Sequence, residues 1–136
     1  MNDSFQSDLA ERIDSIEEAY EFMLAYAAQG REGDEENSEV VQFLQNFHDA
    51  LETLVEVAAK SFSGDTDQDD HGLDFLKVLA EDGSKAHAAI GLVLAQSRIS
   101  SQLIDNLNGS IHLRALLTDL FLLDEVIKSD RARSSE

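Results

Sequence analysis

The 136-residue sequence contains no proline and no cysteine, and positive charge is scarce: Lys and Arg number 10 against 28 Asp and Glu. Each shortage excludes something. Without cysteine there are no disulfides, thiolate metal sites, iron–sulfur clusters or thiol nucleophiles. Without proline, nothing of that kind interrupts a helix, and the proline usage typical of loops and all-β turns is missing. A formal net charge of −18 opposes direct binding of nucleic acid or anionic lipid, because the phosphate contacts that supply such affinity would have the wrong sign. The same charge suits a basic protein partner, and it equally suits solubility or a high-salt setting. No run approaches the roughly 20 apolar residues of a membrane span. The polar start from Met1 to Asp14 has neither the basic nor the apolar part of a secretory leader. A cytoplasmic location is the expectation.

What is present is a set of helical stripes. Hydrophobic residues make up 43% of the chain, enough for one core, and the length is that of a single domain spanning 1–136. Leu9, Ile13, Ile16, Tyr20, Met23, Leu24 and Ala27 recur at helical spacing, so a helix is expected from Ser7 to Gln29, ended by Gly30. Residues 30–37 read as an acidic loop with Ser38 as the next N-cap. A second helix follows from Glu39 to Phe62, with Val40, Leu44, Phe47, Leu51, Leu54, Val55, Ala58 and Phe62 inward and Gly64 as its stop. Residues 63–72 read as a second acidic loop. A short helix is expected over Leu73–Glu81, with Leu73, Leu76, Leu79 and Ala80 inward, then a break at Asp82-Gly83-Ser84. A helix over Lys85–Asn106 carries Ala89, Leu92, Val93, Ile99 and Leu103 inward, interrupted by the Ser97, Ser100, Ser101, Gln102 cluster. Ser110 caps a last helix over Ile111–Lys128 that is apolar on most sides and therefore either central or half of a dimer interface. The fold expected is all-α: an antiparallel bundle of four long helices plus one short helix, with frayed tails at 1–6 and 129–136.

The candidate chemistry is sparse. Asp65, Asp67, Asp69 and His71 alternate as calcium ligands do. Counted from Asp65, however, the twelfth position is Leu76, and counted from Asp67 it is Val78, where an EF-hand needs a bidentate glutamate. A solvated acidic loop is the simpler reading, with weak divalent binding as the functional one. The Glu-x-x-His of di-iron bundles is absent, since Gln45 stands three residues before His48. His48 and His87 each lie beside an apolar stripe, where a histidine is usually packed and hydrogen-bonded; axial haem ligation is the functional alternative. His-Glu-x-x-His, a phosphate-binding glycine loop and Gly-x-Ser-x-Gly are all absent. Tyr20, Phe47, Leu51 and Phe121 are candidates to line a ligand pocket, although aromatic residues at helical spacing are more often core.

The segment Ala86-His87-Ala88-Ala89-Ile90-Gly91 resembles the histidine segment of histidine phosphotransfer domains, acidic four-helix bundles of similar length. The resemblance implies phosphotransfer at an exposed His87, with Gly91 leaving room for a docking receiver domain. It covers about six residues and departs at Ile90, where that family usually has lysine. The packing alternative has Gly91, Ala88 and Ala95 admitting a close helix.

Taken together, these features point to a small non-enzymatic interaction protein without a cofactor: a regulator, adaptor or assembly factor. It would use a helical homodimer or partner surface, and acidic loops in which Glu35, Glu36, Asp67 and Asp69 meet a basic protein. Phosphotransfer through His87 is the alternative, and a nucleic-acid mimic that binds a basic protein is a further one.

Overall fold

The computed structural model describes residues 3–30, 33–62, 64 and 66–134. Helices α1 (Asp3–Gln29), α2 (Asp34–Ser61), α3 (Asp67–Leu94), α4 (Ser101–Asn108) and α5 (Ile111–Ser134) account for almost all of it. The expected count of four long helices and one short one is present, but the short one lies elsewhere.

Side-chain pairs give the topology. Arg12 Nε donates to Thr53 Oγ1 and Phe22 stacks on Phe43, so α1 and α2 are antiparallel. Glu52 lies beside His87, and His48 beside Gly91, so α2 and α3 are antiparallel. A hollow joins Phe75 of α3 to Leu123 of α5, and Asp82 bonds Asp119, so that pair is antiparallel too. Gln6 Nε2 donates to Asp130 Oδ2 at 3.0 Å and closes α5 onto α1. The result is an up-and-down ring of α1, α2, α3 and α5. The short α4 packs chiefly on α1 through Ile104 and Leu107, and Asn108 Nδ2 donates to the Met23 carbonyl. With α4 wedged there, α5 leans mainly on α3 and only lightly on α1. Helix therefore extends into both segments expected to fray, tied by the Gln6–Asp130 bond.

The core follows the helical periods. Leu9, Ile13, Ile16, Met23 and Tyr26 face inward from α1, and Val40, Leu44, Phe47, Leu54 and Ala58 from α2. On α3 the buried line is Leu76, Leu79, Gly83, Ala86, Ile90 and Val93. That line runs unbroken through Asp82-Gly83-Ser84, which explains why no break occurs there. A glycine inside a helix costs about 1 kcal/mol, less than the burial of the apolar residues on either side of it. Leu73, Ala80 and Leu92, expected inward, face solvent, and Leu92 is 69% exposed.

The real interruption is at residues 95–100. There the carbonyl of buried Ile99 accepts from Tyr26 Oη at 2.7 Å and from Asn37 Nδ2 at 2.6 Å. Ser100 then caps α4 by accepting from the Leu103 N–H. The two acidic loops are also shorter than expected, because α2 begins at Asp34 and α3 at Asp67. Gly33, not Ser38, is the N-cap of α2, while Thr66 caps α3 by accepting from the Asp69 N–H. Asp34, Glu35 and Glu36, and likewise Asp67, Asp69 and Asp70, occupy first helical turns. Negative side chains are stabilising there, opposite the positive helix end. Gly30 and Gly64 take φ of +63° and +82°, the left-handed turns expected of them.

Candidate functional site

Two features stand out from this frame: a histidine–glutamate cluster between α2 and α3, and an apolar outer face on α5.

The cluster arises from register. His48 and Glu52 are one turn apart on α2 and so share a face. The antiparallel α3 brings His87 against them. The two imidazoles stack with centroids 3.7 Å apart and planes 26° from parallel. Glu52 Oε1 lies 3.6 Å from His48 Nδ1 and 3.4 Å from His87 Nε2. One donor atom from each of the three residues falls within 4.8 Å of the others. His48 Nδ1 is buried and has no hydrogen-bond partner among the described residues, and Asp49 Oδ1 stands 3.8 Å from it. Glu52 and His87 also line a hollow of about 240 Å³ with Leu51, Val55, Gly83 and Ser84. No sequence spacing links His87 to His48, 39 residues earlier. The signal was His48-x-x-x-Glu52, a one-turn spacing that a Glu-x-x-His pattern does not contain.

This geometry bears on the phosphotransfer resemblance. Ile90, which replaces that family's lysine, is fully buried in the core. Gly91 faces His48, which lies 3.8 Å from where a Cβ would stand. His87 is half-buried against another imidazole, and a phosphoryl group on its Nε2 would meet the Glu52 carboxylate. Ala88 and Ala95 are exposed, so of the small-residue face only Gly91 lies against a neighbouring helix among the described residues.

The other expected site residues do not converge. Asp65 lies outside the described residues. Asp67 and Asp69 sit roughly 200° apart around α3; Asp67 is exposed beside His71, whereas Asp69 is buried at 1% exposure. A helical segment of this kind cannot wrap a cation as a calcium loop does. The burial of Asp69 also removes it from any docking surface, whereas Glu35 is exposed and Glu36 half-exposed. Tyr20, Phe47, Leu51 and Phe121 do not share a cavity: Phe47 is fully buried and Phe121 points outward.

On α5, Leu113, Leu116, Leu117, Leu120, Leu123 and Ile127 fill the core, while Ile111, Phe121 and Leu122 are 75%, 53% and 55% exposed. Ile111 and Leu122 are roughly three turns apart and lie on one line of the helix. Leu122 also borders an apolar hollow of about 340 Å³ lined by Phe62, Gly72, Phe75, Leu123 and Val126.

One buried acid lies on the inner side of α5. Asp119 is 6% exposed. Its carboxyl is pushed up to about 7, first by loss of water and then by its hydrogen bond with Asp82 and the charge of that residue.

The fold and these sites define an up-and-down helical bundle with an inserted short helix, a polar cluster between two helices and an uncovered apolar face. Among the described residues, no helix is long and apolar enough to cross a membrane. Comparison with protein-family models, curated proteins and solved structures finds no match to the chain.

Proposed function

We propose that this chain is a small, acidic, non-enzymatic interaction protein of the cytoplasm that pairs with a second copy of itself through the outer face of α5. The observation that carries this reading is the set of large apolar side chains left uncovered there, Ile111, Phe121 and Leu122. Single exposed hydrophobics are ordinary, but the adjacent pair Phe121 and Leu122 beside an apolar hollow, with Ile111 three turns away on the same helix, has the character of a contact surface. A two-fold antiparallel pairing of α5 lets Phe121 of each copy enter the hollow beside Leu122 of the other. The remaining surface, with a net charge of −18, suits a basic protein as the further partner.

Native mass spectrometry and sedimentation at micromolar concentration test the pairing. The expected result is a species of twice the 15.0 kDa chain mass. Replacing Phe121 and Leu122 together with glutamate should return it to a monomer with unchanged helical circular dichroism. A wild-type chain that stays monomeric over the whole concentration range would remove self-association from the proposal.

A further inference from the structure

We infer that His48, Glu52 and His87 form a binding site for a divalent transition ion of the zinc class. The inference is independent of the self-association proposed above, since it concerns the opposite flank of α3.

Two imidazole nitrogens and one carboxylate oxygen are a donor set that zinc, cobalt, nickel and copper ions accept readily, whereas calcium and magnesium prefer all-oxygen shells. The distances agree. With metal–ligand bonds of about 2.0–2.1 Å in a tetrahedron, neighbouring donor atoms stand roughly 3.3 Å apart. The two edges that involve Glu52 Oε1 are 3.4 and 3.6 Å. The His48–His87 edge needs the stacked rings to fan apart so that both lone pairs aim at one point. Rotation about the terminal torsion, which is broad for histidine, supplies this movement.

The frame favours this role over simple packing. His48 and Glu52 come from a single helix turn, so they are held as a pair whatever α3 does. His87 comes from a helix interior, held by fully buried Ala86 just before it and fully buried Ile90 three residues after it. His48 Nδ1 is withdrawn from water, and nothing among the described residues donates to it or accepts from it. A buried polar atom in that condition is costly unless something occupies its lone pair. The nearby Asp49 and the strongly negative chain both add to the attraction for a cation. Three protein ligands leave a fourth position open, and the hollow lined by Glu52, His87 and Ser84 provides space there for water or an outside donor.

The test uses the full-length chain stripped of metal and titrated with Zn²⁺ in calorimetry and native mass spectrometry, in the presence of excess Mg²⁺ to occupy the scattered carboxylates. Co²⁺ serves as the spectroscopic probe. The expected result is one Zn²⁺ per chain that Mg²⁺ does not displace, together with the intense visible absorption of four-coordinate Co²⁺. His48→Ala and His87→Ala should each abolish the Co²⁺ band, and Glu52→Gln should weaken Zn²⁺ binding by roughly tenfold or more, since even loss of an outer partner costs about that much. Circular dichroism checks that each variant keeps its helices, and His71→Ala, at the exposed His71–Asp67 pair, should change nothing. Absence of a stoichiometric Mg²⁺-resistant Zn²⁺ would overturn the site. So would Zn²⁺ binding that survives in the His48→Ala, His87→Ala double variant, because the ion would then be held elsewhere.

Discussion

The ring of Phe62, the first residue after α2, lies where a side chain on Gly72 of α3 would be, so a Cβ there would run into the ring. Gly83, on the same helix, has nothing among the described residues within 4 Å of the corresponding position. Two helical glycines thus have opposite roles. Gly72→Ala should destabilise the fold by about 1–3 kcal/mol through overpacking. Gly83→Ala should stabilise it by about 0.5–1 kcal/mol, by restricting the unfolded chain and adding a better helix former. Urea midpoints of the two variants, compared with wild type, check both signs.

Asp119 governs a pH effect. Its folded-state pKa is raised to about 7 against an ordinary value of 3.8, so the native state holds a proton that the unfolded state has released between those limits. Stability is therefore greatest at the acid end of that window and falls as pH rises through about 7. Glu17 is raised too, first by burial and then by the nearby charges of Asp124 and Asp14, with Lys128 opposing, and it contributes in the same direction. Asp119→Asn keeps the shape, can donate to Asp82 and carries no charge. It should raise stability at pH 8 by about 1–3 kcal/mol and flatten the fall between pH 5 and 8. Thermal melts across that range check it; an unchanged slope would assign the pH dependence to other groups.

The Ile99 carbonyl has two donors, Tyr26 and Asn37, on two different helices. Tyr26→Phe or Asn37→Ala alone should cost about 1 kcal/mol, because the other donor remains. The double variant should cost more than the sum, since a buried carbonyl is then left without a partner. Hydrogen exchange at residues 101–104 should rise most in the double variant, where the loop that leads into α4 has lost both anchors.

Helix starts offer a direct comparison. Thr66→Ala removes the bond to the Asp69 N–H and should cost about 1 kcal/mol. Ser38→Ala, at an exposed position inside α2, should stay within about 0.5 kcal/mol of wild type. Equal losses in chemical denaturation would place a cap at Ser38 after all.

Much of the architecture was legible in the chain itself. Apolar residues at three- and four-residue spacing, with no proline to interrupt them, required long helices with one buried stripe each. Gly30 and Gly64 marked real ends, and Ser110 a real start, accepting from the Leu113 N–H at 3.3 Å. These signals are local: each depends on residues within a turn or two. Tertiary structure decided the rest. Gly83 reads as a stop, yet α3 passes through it, because stripe residues on both sides are buried by α2 and α5, and that burial exceeds a local penalty of about 1 kcal/mol. The chain breaks instead at 95–100, where Tyr26 and Asn37 reach in from α1 and α2. The meeting of His48, Glu52 and His87, and that of Asp82 with Asp119, depend on the register of one antiparallel helix against another. That register is set by how whole faces interlock, so it joins residues that no sequence spacing connects.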